Sequence, residues 1–209
     1  ESEQGKRRER CDMDMLELIK SRRSTRKFLS RPVEEEKIDA IIEAGRYAPS
    51  GGNNQSCHFV VVEDGEKLNE LAELVQREFS GMEYDAHTYA SLVTSIQRSK
   101  QGNYTFHYHA PLLIIVTNQK GYGNAVADSA CAIENMMLMA NGLDLGSCWI
   151  NQLRWLDENA ALRTFLKNFQ IGEAETVCGS VAIGYADTED GLPPRTPLRR
   201  KGNSVTWIR

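Results

Sequence analysis

"SRRSTRKF", residues 21–28, holds four cations in eight positions and has neither the apolar period of a helix nor that of a strand. The chain as a whole carries a net charge of −4, so this cluster is a local feature that calls for a local explanation. A second unusual stretch follows at 48–55, "APSGGNNQ", where small and amide residues replace a helical pattern that has just ended.

Before the cationic run, residues 13–21 form a short helix candidate with Met15, Leu16, Leu18 and Ile19 available for a buried face. After it, "RPVEEEKIDAIIEAGRYAPS" reads as a helix starting near Pro32, with acids in the first turn, where the helix dipole favours them. Ile38, Ile41 and Ile42 make its apolar stripe, and Pro49, Gly51 and Gly52 stop it. "CHFVVVED", 57–64, is a β-branched run of strand length. Residues 66–79 return to helical period through Leu68, Leu71, Ala72, Val75 and Phe79. The polar, aromatic region 81–109 reads as a helical excursion over the core. "PLLIIVTN", 111–118, is a second buried strand, and 124–141 is apolar nearly all round, a central helix with Met136, Met137 and Met139 as core filler. "GSCWINQ" and "VCGSVAIGY" supply a third and a fourth strand. Strands separated by helices indicate a layered α and β domain.

The composition, 41% hydrophobic and 26% charged over 209 residues, fits one soluble domain over 13–209 behind a solvated arm at 1–12. That arm lacks the apolar segment of a secretory signal, and no apolar run approaches a membrane span. The acidic balance disfavours general nucleic-acid binding. Cys11, Cys57, Cys131, Cys148 and Cys178 include no C-x-x-C pair, which disfavours a disulfide framework or zinc site and suits buried, reduced thiols in a cytoplasm.

The common nucleotide cradles fail: there is no G-x-x-x-x-G-K-[ST], and "GYGNAV" matches two glycines of a dinucleotide fingerprint without a strand before it. His107 and His109 could share a face, but no nearby cysteine or carboxylate completes a metal site. Ser50 lacks the G-x-S-x-G turn of a hydrolase nucleophile. "SRRSTRKF" can be a solvated loop, yet Arg22 and Arg26 with Ser24 between them also suit a phosphomonoester, whose charge planar guanidinium groups meet two bonds at a time. "APSGGNNQ" can be a helix stop, yet Asn53 and Gln55 present donor and acceptor together, as the edge of a flat heterocycle or a ribityl chain requires.

"SRRSTRKF", a helix, then "APSGGNNQSCHFVVV" resembles the N-terminal signature of the nitroreductase-like flavoproteins. "AIENMMLMANGLDLGSCWI", "VAIGYA" and "PPRTPL" fall in that family's order and approximate spacing, so the resemblance covers nearly the whole chain after residue 12. It implies an α+β, three-layer fold: a central mixed β-sheet flanked by helices, with FMN bound at the interface of a homodimer. It also implies that the C-terminal strand, "NSVTWIR" at 203–209, crosses to the partner through the proline- and cation-rich arm "GLPPRTPLRRK". Carried over residue by residue, Arg22, Arg23, Ser24 and Arg26 match the first flavin-binding segment, with Arg22 and Arg26 on the phosphate. Pro49, Ser50, Gly51, Asn53 and Gln55 match the loop that meets the flavin from the other subunit. Asn103 falls where an amide nears the isoalloxazine ring, Trp149 and Ile150 where backbone amides approach its reactive nitrogen, and Arg195 matches a second phosphate cation. The implied activity moves two electrons from NADH or NADPH through FMN to a nitro compound, quinone or similar acceptor by a ping-pong mechanism, with no obligate side-chain acid or base. A reductive dehalogenase of the same fold, gripping an amino-acid zwitterion with Glu, Tyr and Lys of its lid, is one alternative, and a non-enzymatic FMN-binding protein is another. One departure stands out: family loops often continue from the glutamine into Pro-Trp, where this chain has Ser56 and Cys57.

Overall fold

β2, Leu112–Gln119, is the spine of the protein. Leu112, Ile114 and Val116 enter one apolar cluster, while Leu113 and Ile115 enter another on the opposite face. Burial on both faces is why this strand reads as a continuous apolar run rather than an alternation. The structure, a computed structural model, describes residues 14–209. The expected N-terminal arm at 1–12 lies outside them.

Around β2 the strands take the order β1-β2-β4-β3, with β1 His58–Val62, β3 Gly146–Ile150 and β4 Glu175–Gly184. All three pairings are antiparallel. The mixed character expected of the sheet is confined to one isolated parallel bridge, Ser24 to Ser147. One face carries α2, Glu35–Arg46, and α5, Ala125–Gly142, whose Ile41, Ile133 and Met136 are fully buried there. The other face carries α3 Gly65–Ser80, α4 Ala90–Gln101, α6 Gln152–Trp155 and α7 Ala160–Leu166. The fold is therefore α+β in three layers, and the excursion expected within 81–109 is α4.

Several local readings shift for identifiable reasons. α2 begins at Glu35 rather than near Pro32, because Glu34 stays extended. Its carboxylate accepts from Arg31 and from the Tyr185 hydroxyl, each at 2.6 Å, and these contacts hold its pKa down to about 2, with the tyrosine bond foremost. Met136 and Met137 are core, but Met139 faces outward. Cys148 and Cys178 are buried, Cys57 half-buried and Cys131 exposed, all four as free thiols. α1, Met15–Ser21, forms as expected, yet Met15, Leu16 and Ile19 face outward. Residues 192–209 take no regular structure within one chain, and Trp207 and Ile208 stand 75% and 95% exposed. No helix among the described residues is long and apolar enough to cross a membrane.

Candidate functional site

The cationic segment is anchored at both ends. Asn141, in the last turn of α5, donates its amide to Leu18 O and Ser21 Oγ at 3.1 and 2.9 Å, which fixes the end of α1. The chain then extends beside β3, where the Thr25 N–H donates to Ser147 O at 2.9 Å. Burial pushes the Cys148 thiol up, while the charges of Arg26 and Arg22 and the Ser24 hydroxyl act in the opposite direction. Arg22, Ser24 and Arg26 are thus gathered around one position of β3.

The guanidinium groups nevertheless have different surroundings. Arg22 Nε lies 3.8 Å from Glu134 in the C-terminal half of α5. Arg195 donates from Nη2 to Asn141 O at 2.6 Å and to Asp144 at 2.7 Å, and its buried Nε has no partner among the described residues. Arg23 donates to Thr196 O at 2.7 Å, tying the same tail to the segment. Arg26 instead lines a cleft of about 500 Å3 with Asn103, Tyr108 and His109. Arg22, Arg23 and Arg195 therefore collect along α5, and Arg26 turns toward Asn103.

The loop at 48–55 sits at the other end of α5. The Gly51 N–H donates to both oxygens of Asp128, at 3.1 and 3.2 Å, and Tyr122 donates its hydroxyl to Asp128 at 3.0 Å. A side chain at Gly51 would meet the Asn124 amide and the Tyr122 hydroxyl, so these two groups would have to move to admit one. Gly52, Asn53 and Gln55 all have φ between 50° and 59°, the left-handed region that glycine and amide residues enter most readily. Their backbone role thus accounts for part of the composition, while the Asn53 and Gln55 side chains stay exposed. Pro49, Ser50 and Gln55 line a cavity of about 660 Å3 between α2 and β1, with Phe59, Val61 and Asp128.

Asp128 and Asn141, the anchors of the two segments, are thirteen residues apart on one helix, or about 20 Å along its axis. One chain therefore does not converge both segments on one spot. Trp149 packs on the α5 side of the sheet near Ile133, its Nε1 donating to Asn151 at 2.8 Å, and Ile150 is buried on the opposite face. Asn103 is exposed at φ 61° beside Gly102. His107 is 2% exposed, and burial lowers its pKa to about 4. Its ring centroid lies 6.2 Å from that of His109, and no group of three or more metal-ligating side chains occurs among the described residues.

Asp128 and Tyr122 were not singled out from the sequence. An acid in the first turn of a mostly apolar helix is the available signal for the first. Lys27 and Arg98, which line the Asn103 cleft, carried no signal beyond their charge.

Comparison with known proteins places this geometry in context. The model of the nitroreductase family matches residues 19–185. A crystal structure of a nitroreductase with bound FMN from Bacteroides fragilis superposes with a TM-score of 0.81 at 35% identity, covering 94% of this chain and all of that one. The NADPH-flavin oxidoreductase of Vibrio harveyi is 28% identical over 183 residues, 87% of this chain and 70% of that protein. Iodotyrosine deiodinase 1 of the rat is 32% identical over 108 residues, 51% of this chain and 37% of that protein.

Proposed function

The chain belongs to the nitroreductase family, and from that premise we propose that it is an FMN-dependent oxidoreductase taking electrons from NADH or NADPH. The observation that carries this reading is the arrangement of Arg22, Ser24 and Arg26 about β3, with Arg195 brought to the same end of α5. FMN, when bound, supplies two-electron chemistry, accepting hydride from the nicotinamide and passing electrons to a nitro compound, quinone or similar acceptor.

The residues present fit that group. Arg22 and Arg195 would hold the phosphate: Arg195 is pre-positioned by Asp144 and Asn141, and its unpartnered Nε remains to donate. Arg23 keeps the tail that bears Arg195 in place. Ser24 would meet the ribityl chain. Four residues of extended chain span at most about 14 Å, so Arg26 can stand well away from Arg22, and Asn103 beside it supplies an amide. Arg26 is therefore assigned to the ring edge rather than the phosphate. Ser24 runs parallel beside Ser147, so the Trp149 and Ile150 backbone lies toward the Arg26 end of this segment.

The roughly 20 Å between the anchors of the two segments favours a homodimer. In it, Pro49, Ser50, Gly51, Asn53 and Gln55 of one protomer would complete the site of its partner. The outward apolar side chains Met15, Leu16 and Ile19 and the exposed Val205, Trp207 and Ile208 supply surface that such a partner would cover. Residues 203–209 would pair with the partner's sheet, where β1 offers an open edge. The free thiols fit a reducing compartment such as the cytoplasm.

The dehalogenase alternative finds less support. Lys100 pairs with Glu83 at 3.1 Å and sits over the Tyr84 ring, so the available Glu, Tyr and Lys engage one another on the surface. A visible spectrum of the purified protein, identification of the released flavin, and anaerobic titration with NADH and NADPH test the proposal. A colourless protein that neither holds FMN nor oxidises either nicotinamide would overturn it.

A further inference from the structure

The cleft that holds Arg26 and Asn103 contains more positive charge than a flavin ring edge uses. Arg98 reaches it from α4 and Lys27 from the extended segment, beside Tyr108 and His109. Several cations elsewhere find carboxylates: Arg22, Arg31, Arg163 and Arg195 each lie within 4 Å of one. Arg26, Lys27 and Arg98 form no ion pair among the described residues. One acid, Asp187, lines the same cleft, and its backbone N–H donates to Lys27 O at 3.0 Å, which holds the Lys27 backbone in place. One acid against three cations leaves the cleft cationic in a chain whose net charge is −4.

An oxidised flavin ring presents neutral acceptors at its edge, and Arg26 with Asn103 is enough to meet them. Lys27 and Arg98 are left facing a cleft large enough, at about 500 Å3, for part of a second ligand. The ligand they suit is a phosphomonoester, which approaches two negative charges at neutral pH and bonds strongly to guanidinium and ammonium groups. Tyr108 and His109 are both held at φ 57° on the cleft wall, and aromatic side chains of this kind are ones on which a purine can stack. A phosphate beside a purine, next to a flavin, is the adenosine end of the phosphorylated nicotinamide dinucleotide. An arginine serving the ribose 2′-phosphate is a general device for telling NADP from NAD.

We propose that Arg98 and Lys27 receive the ribose 2′-phosphate of NADPH in this cleft and make the protein selective for NADPH over NADH. The inference rests on the flavin reading above and names the nucleotide half of the same site.

Both side chains are exposed, so Arg98→Ala and Lys27→Ala should leave the fold intact. The experiment uses the FMN-loaded full chain, steady-state kinetics with each nicotinamide, and calorimetric titration with 2′,5′-ADP against 5′-AMP, neither of which can donate hydride. The expected result is wild-type preference for NADPH. Arg98→Ala should then raise the KM for NADPH roughly ten- to a hundredfold at unchanged kcat, the scale of a lost hydrogen bond to a charged group. The KM for NADH should not move, and 2′,5′-ADP should bind the wild type more tightly than 5′-AMP does, with Arg98→Ala abolishing the difference. Equal use of NADH and NADPH by a yellow wild-type protein would overturn the proposal and spare the flavin reading. So would an Arg98→Ala variant that weakens both nicotinamides alike, which would put Arg98 on the shared pyrophosphate. If the protein holds no FMN, the flavin reading fails, and the titration alone decides the cleft. Tighter binding of 2′,5′-ADP that Arg98→Ala removes would uphold the phosphate site, and no difference would overturn it.

Discussion

The backbone N–H of Gly51 is held by the carboxylate of Asp128, 3.1 Å from one oxygen and 3.2 Å from the other. That contact fastens the 48–55 loop to the first turns of α5, and the Tyr122 hydroxyl completes it. Asp128, 6% exposed, is the acceptor of the Gly51 N–H, which Asp128→Ala would leave unpaired, while the Tyr122 hydroxyl keeps Gly51 O at 3.2 Å. The expected loss of stability is about 1–3 kcal/mol by denaturant unfolding, with flavin affinity falling alongside. Asp128→Asn retains an acceptor and should recover much of the loss. Equal stability of the alanine variant and the wild type would show that the contact does not hold the loop.

Arg22 and Arg26 are expected to separate in their effect on cofactor binding. Arg22→Ala should weaken FMN by about 1.5–3 kcal/mol and leave riboflavin, which lacks the phosphate, nearly unchanged. Arg26→Ala should weaken both alike. Fluorescence titration of flavin-free protein measures this, and wild-type protein that binds riboflavin as tightly as FMN would refute the phosphate role.

His107 gives a pH dependence with a definite sign. It is buried, and burial lowers its pKa from 6.5 to about 4. Between those values the unfolded chain binds the proton and the folded chain does not, so stability falls as pH drops from 6.5 toward 4. The loss attributable to this group is at most about 3 kcal/mol. His107→Gln should flatten that part of the stability curve, and an unchanged acid limb would assign the loss to other groups.

Kinetics with a nitroaromatic or quinone acceptor should be ping-pong, because donor and acceptor would use one face of the same cofactor in turn. Double-reciprocal plots at several acceptor concentrations should be parallel, and intersecting lines would indicate separate sites.

A chain ending at Leu198 should lose dimer stability and hold FMN less well although Arg195 is retained. The deletion removes Val205, Trp207 and Ile208, which stand largely exposed. An obligate dimer rarely has a stable separate monomer, so aggregation counts as the same outcome. Sedimentation showing a yellow dimer equal to the full chain would exclude the strand exchange.

Sequence alone was sufficient for the four strands and for the larger helices, but not for the short α6 and α7, and the three layers came from the family resemblance. Burial on both faces makes β2 a solid apolar run, and burial almost all round does the same for α5, so both patterns are carried by neighbouring residues. The first residue of α2 was not legible in this way, because Glu34 is held extended by Tyr185, 151 positions away in the chain.

For the candidate site, sequence by itself pointed to two stretches: a run of cations, and a loop of glycine and amide residues whose left-handed turns those residue types permit. Only the tertiary structure decided how they are distributed. It set Arg22 beside Glu134 and Arg26 in the cleft with Asn103, brought Arg195 to Asn141, and pinned Gly51 to Asp128 at the far end of the same helix. It also left Met15, Leu16 and Ile19 outside the core, although their spacing suits a buried face. The physical reason is that period and propensity act between residues a few positions apart. The direction in which a charge points is set by contacts between segments more than a hundred residues apart, and an apolar face reads the same in sequence whether its own chain or a second one covers it.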